Sequence, residues 1–292
     1  KDEVVPSLSL LSQIRKTKVN SFKDHTKHVN QLSKLHEKLG PTLDKPSKFF
    51  LEKISDVDIR SKTITICVSG FTSEDVTKAD QWKTILDAYP YTEIFALNWN
   101  SNTMKNLYNH LLKEVPSIVA ANQGSILGFA IPQLRPLLLT MATFKIFRGL
   151  KDEVWGITYK EAITSGIYLA HILANTDLFK DHVINLVGFS LGTLVIMNCI
   201  WELERLNRKD LIYDVFLMGG VANASDFNKS TLDVIGNKVI NCYCETDYIL
   251  KFLLKMVNFS SKPIGLGPIL LGDKKVKNID VAKYADGHTK YR

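Results

Sequence analysis

The fold class this sequence predicts is α/β, a mostly parallel sheet with helices on both faces. Three observations predict it. From Thr63 onward, short apolar runs of strand length alternate with longer helix-like runs. One of the strand-like runs, Val183 to Val187, passes through Gly188-Phe189-Ser190-Leu191-Gly192 straight into a helix-like run that starts at Thr193. The chain has 292 residues, 45% of them hydrophobic and 23% charged, which suits one large globular unit better than two.

The elements follow in order. Residues 1–60 read as an N-terminal helical arm. Leu8, Leu11 and Ile14, then Val29, Leu32, Leu35 and Leu39, recur at helical spacing, and Gly40-Pro41 stops the pattern. A second helix is expected from Pro46 to Ser55. Residues 61–292 hold the sheet. Thr63 to Val68 is rich in β-branched residues and reads as its first strand, followed by the turn Ser69-Gly70-Phe71-Thr72. Ala96-Leu97-Asn98-Trp99 reads as the next. Residues 115–150 form an apolar insert rich in small residues and broken by Pro132 and Pro136. Neither half reaches the ~20 apolar residues a bilayer span needs, so the insert is expected to be a lid, an interface or a membrane contact. Trp155 to Asn175 reads as a helix whose Ala162, Gly166 and Ala170 make a smooth packing face. Strands are then expected at Tyr213 to Met218 and at Asn237 to Cys244.

The chemistry centres on Ser190. A Gly-x-Ser-x-Gly between strand and helix is the nucleophile elbow of an α/β-hydrolase. The turn is tight enough to force the serine into a strained backbone, and it lifts the hydroxyl above the sheet at a helix N-terminus. A nucleophilic serine needs a base, and the base needs an acid to orient it. In this fold the chain order is serine, acid, histidine. Of the seven histidines only His288 follows Ser190, in the loop Ala285-Asp286-Gly287-His288. Glu245-Thr246-Asp247 follows the last expected strand, which makes Asp247 the acid and Glu245 the reserve. Asp247 also suits the N-cap of a helix starting at Tyr248. An oxyanion hole would take one N–H from Leu191 and a second from Phe71 or Thr72, with Gly70 allowing close approach of the backbone.

Several segments in order also resemble a eukaryotic α/β-hydrolase-like family, the one typified by transmembrane and coiled-coil domain-containing protein four. They are Ile66 to Gly70, Ala96 to Trp99, Leu186 to Gly192, Asn241 to Leu250, Gly265 to Ile269, Val276 to Asp280, and a terminal Gly-His-x-x-Tyr at Gly287, His288 and Tyr291. The resemblance implies a hydrolase fold and puts Ser190, Asp247 and His288 on that family's triad. It implies little about substrate.

Composition excludes some classes. There is no P-loop, dinucleotide fingerprint or RNA-binding motif, and no cofactor or metal is expected. His25 and His28 are one helical turn apart, but no acidic or cysteine ligand completes a set. The net charge of +7 comes from dispersed residues, which suits an anionic membrane surface and not nucleic acid. Cys67, Cys199, Cys242 and Cys244 lack metal-like spacing and are expected to be reduced and buried, which favours an intracellular setting over secretion. The start at Lys1 rather than Met allows an organelle such as the mitochondrion. The expected activity is hydrolysis of an ester, with lipid esters suggested by the apolar insert. The alternative is a catalytically silent scaffold that binds a protein or membrane partner through residues 1–60 or 115–150.

Overall fold

The computed structural model describes residues 46, 48–56, 62–70, 78–99, 153–175, 179, 182–209, 211–247, 250–251, 262–285, 288 and 291. Their centre is a seven-stranded sheet in the order β1-β3-β2-β4-β5-β6-β7. The strands are β1 (Phe49–Lys53), β2 (Thr63–Val68), β3 (Glu93–Trp99), β4 (Val183–Phe189), β5 (Ile212–Met218), β6 (Ile235–Tyr243) and β7 (Val276–Asp280). Every neighbouring pair is parallel except β1 with β3. This is the α/β-hydrolase architecture that the strand–elbow–helix pattern predicts.

The central strands are mostly apolar and buried because helices cover both faces. Ile64, Ile66 and Val68 of β2 and Ile184 and Leu186 of β4 are all buried. Each such side chain contributes about 1.5–3 kcal/mol by leaving water. Two short helices, α1 (Lys78–Gln81) and α2 (Lys83–Ala88), connect β2 to β3. Helix α3 (Glu153–Asn175) leads into β4, α4 (Gly192–Arg205) leaves it, and α5 (Lys229–Asp233) precedes β6. The small-residue face of α3 packs on α4. A Cβ added to Gly166 would collide with the carbonyl oxygen of Val195, so only glycine allows the two backbones to come this close.

One expectation is overturned. Residues 49–53 are not helical: they form β1, antiparallel to β3, with Phe49 opposite Trp99 and Lys53 opposite Phe95. The sheet therefore begins inside the segment read as the arm. Three consecutive apolar residues, Phe49-Phe50-Leu51, are all buried, and the edge strand accommodates them with one end against α3. Phe49 meets Tyr168 of α3 edge-on at 4.9 Å. Two side-chain links tie β1 to β3: the Lys53 ammonium donates to Glu93 at 3.1 Å, and the Asn98 amide donates to Glu52 at 3.1 Å. The helical repeats between Leu8 and Leu39, and the insert 115–150, lie outside the described residues.

The order of the strands positions the site. From β2 the chain steps to β3 on one side and later to β4 on the other. The crevice between the C-terminal ends of β2 and β4 is thus the point where strand order reverses, the usual place for a ligand in an open α/β sheet.

Candidate active site

Ser190 sits at that point, between β4 and α4. Its φ is +56°, in the left-handed region that side chains other than glycine seldom enter. Three hydrogen bonds hold the strained turn. The Ser190 N–H donates to the Met218 carbonyl at the end of β5 at 2.9 Å. The Thr193 hydroxyl donates to the Ser190 carbonyl at 2.6 Å and accepts from the Val221 N–H at 3.1 Å. Gly192 is required for steric reasons, since a Cβ there would run into the backbone carbonyl of Val68.

His288 and Asp247 complete one hydrogen-bonded line with Ser190. The His288 Nε2 lies 2.8 Å from the Ser190 Oγ, and its Nδ1 lies 2.7 Å from the Asp247 Oδ2. A carboxylate oxygen can only accept, so the imidazole carries its hydrogen on Nδ1 and offers the Nε2 lone pair to the serine hydroxyl. All three side chains are buried. Asp247 also caps a helical turn, because its Oδ1 accepts from the Leu250 N–H at 2.9 Å. That bond pins the carboxylate and leaves Oδ2 for His288. The reserve acid, Glu245, points outward and pairs with Lys262 at 3.0 Å.

Leu191 opens the first turn of α4, where backbone N–H groups lack helical partners. The backbone after β2 passes directly against it: a Cβ on Gly70 would stand 2.5 Å from the Leu191 nitrogen. Ser69 is held from two sides. The indole of Trp99 donates to its carbonyl at 2.8 Å, and its hydroxyl donates to Gln81 at 3.3 Å. Phe71 and Thr72, the two candidates for the second oxyanion donor, lie outside the described residues. Sequence reasoning places Trp99 within a strand motif but gives it no role, and it misses Thr193 and Gln81. The position of Trp99 along β3 puts its indole beside the end of β2, a relation that appears only once the strands are paired.

Thiol chemistry is disfavoured. All four cysteines are free. Burial pushes the Cys67 and Cys199 thiols well up and raises that of Cys242, which favours their protonated form. Among the described residues no helix is long and apolar enough to cross a membrane.

Sheet order, elbow and the line of three side chains together define an α/β-hydrolase-fold protein. The chain belongs to the family described as a protein of unknown function, DUF726, whose model matches residues 38–292. It is 29% identical to an "uncharacterized membrane protein" of Caenorhabditis elegans over 79% of this chain and 38% of the worm protein. It is 27% identical to the "probable lipase MIL1" of Saccharomyces cerevisiae over 68% of this chain and 19% of the yeast protein. A rice relative, "transmembrane and coiled-coil domain-containing protein STS1", is 24% identical over 78% of this chain and 34% of its own length. The chain thus spans well under half of each of these relatives. Among solved structures, a dienelactone hydrolase from Anabaena variabilis matches with a TM-score of 0.36 at 11% identity, covering 83% of this chain and 82% of that one.

Proposed function

We propose that this chain is a serine hydrolase that cleaves carboxylic esters, with lipid esters as the substrate class. The observation that carries the reading is the unbroken line from the Ser190 hydroxyl through His288 to Asp247, set on a strained elbow. Ser190 Oγ attacks the ester carbonyl carbon while its proton passes to His288 Nε2. Asp247 accepts the Nδ1–H bond throughout and stabilises the imidazolium. The oxyanion accepts from the Leu191 N–H and from Phe71 or Thr72. His288 then gives its proton to the departing alcohol oxygen, which leaves an acyl-serine. Water, deprotonated at the same Nε2, releases the acid and restores the hydroxyl. The lipid element is supported by the apolar insert and by the printed name of the yeast relative.

We further place the chain with the group typified by transmembrane and coiled-coil domain-containing protein four. The rice relative's name and the Gly-His-x-x-Tyr ending support that placement. The names of the worm and rice relatives support association with membranes. Residues 1–60 and 115–150 are the proposed contacts with a membrane or protein partner.

The test is hydrolysis of a panel of p-nitrophenyl esters of increasing acyl length. Ser190→Ala is expected to abolish turnover, and Asp247→Asn to cut kcat by about 10³–10⁴-fold at unchanged fold. Turnover that survives in Ser190→Ala would remove the serine mechanism, and no turnover by folded wild type would favour the scaffold alternative.

A further inference from the structure

The motif that contains His288 ends in a side chain that the chemistry above does not use. The Tyr291 ring lies 6.3 Å from the His288 imidazole, edge-on at 70°. It also lies 6.0 Å from Phe189, and Phe189 in turn lies 5.1 Å from the imidazole. His288 therefore packs against two aromatic rings that also pack against each other. The backbone makes room for them. Gly219, which follows β5, has φ +52°, and a Cβ there would meet Tyr291 Cε2 at 3.1 Å and His288 Cε1 at 3.5 Å. The Tyr291 hydroxyl stands in contrast to the ring: it is buried and has no hydrogen-bond partner among the described residues. Burial, reinforced by Asp247, Cys244, Cys242 and Asp280, pushes its ionisation upward, so it stays a neutral phenol.

We propose that Tyr291 is a positioning residue whose ring, not its hydroxyl, holds the His288 imidazole with Nδ1 toward Asp247 and Nε2 toward Ser190. The kinetic consequence rests on the serine hydrolase reading; the ring-holding itself rests on geometry alone. An imidazole can turn about its Cβ–Cγ bond. In the resting protein a hydrogen bond at each nitrogen opposes that turn. Once Ser190 is acylated, its hydroxyl no longer donates to Nε2, and the Asp247 bond and the adjoining rings carry more of the restraint. Tyr291 thus matters most when His288 must wait in place to deprotonate water.

The experiment has two independent readouts on the full chain. The first is the proton NMR signal of the His288 Nδ1–H, shifted downfield and protected by its bond to Asp247, with histidine labelled in ¹⁵N. Wild type and Tyr291→Phe are expected to share a sharp signal. Tyr291→Leu, which keeps apolar bulk but no flat face, and Tyr291→Ala are expected to broaden or lose it while the Trp99 indole signal stays in place. A sharp signal in Tyr291→Leu would overturn the proposal, as would its loss in Tyr291→Phe. The second readout is p-nitrophenyl butyrate hydrolysis. Tyr291→Leu is expected to lower kcat about tenfold with KM unchanged, and Tyr291→Phe to match wild type. Equal kcat in all three would overturn the kinetic part. A wild type that does not turn over would sink the hydrolase reading, while the NMR readout would still decide what the ring does.

Discussion

At Ser190 the chain accepts a backbone conformation that costs on the order of 1–3 kcal/mol, and its immediate neighbours are chosen to tolerate it. Gly192 clears the Val68 carbonyl, and Thr193 ties the Ser190 carbonyl to the N–H of Val221. The same logic extends to the facing turn, where the Trp99 indole fixes the Ser69 carbonyl and thereby the peptide that leads into Gly70. Trp99→Phe keeps most of the ring but leaves that buried carbonyl without its donor. The expected cost is about 1–3 kcal/mol of stability, read as a lower urea midpoint. A fall in kcat/KM on p-nitrophenyl esters should accompany it if the turn shapes the oxyanion site. Wild-type kinetics in a destabilised variant would separate the turn from catalysis. At this scale the sequence is legible where a residue type is forced by local geometry. The elbow glycines are of that kind. Trp99, Gln81 and Tyr291 act through partners on other strands, and no local spacing reveals such partners.

Helix α4 is the element that joins site to scaffold. Leu191 stands at its N-cap, its middle packs on α3 across Gly166, and its last turn holds a charged cluster. There Glu202 accepts from Arg205 at 2.7 and 2.6 Å and meets His171 of α3 at 2.7 Å. The Arg205 hydrogen bonds hold the Glu202 carboxyl below its ordinary 4.5; burial opposes them and His171 adds to them. A carboxyl depressed in the folded state stabilises the fold above its unfolded value, and that contribution is lost as pH falls through the folded one. Glu202→Gln is therefore expected to melt below wild type at neutral pH, with the gap closing as pH drops below 4.5. A gap that stays constant from neutral to acid pH would show that the charge of Glu202 contributes nothing. Among the elements, β1 shows why sequence legibility fails. Phe49-Phe50-Leu51 suits a buried helix turn as well as an edge strand when read locally. Pairing with β3, from Lys53 with Phe95 to Phe49 with Trp99, decides between them.

Over the whole molecule, a parallel sheet gathers at one end what the sequence spreads far apart. Ser190 and His288 are 98 residues apart in the chain, and His288 and Asp247 are 41 apart. Chain order along such a sheet is nonetheless informative, because every strand delivers its following loop to the same edge. That is why an acid after β6 and a histidine near the end of the sequence can be named as neighbours of Ser190 before any contact is known. The covering of the site cannot be read in that way. A loop's path over the edge depends on packing partners and not on strand order.

The most direct measurement is covalent labelling with a fluorophosphonate probe, read by intact mass on wild type, Ser190→Ala and Asp247→Asn. An activated serine predicts one adduct on wild type, none on Ser190→Ala, and a much slower reaction in Asp247→Asn. No adduct on folded wild type, or an adduct that persists in Ser190→Ala, would contradict the account at its centre.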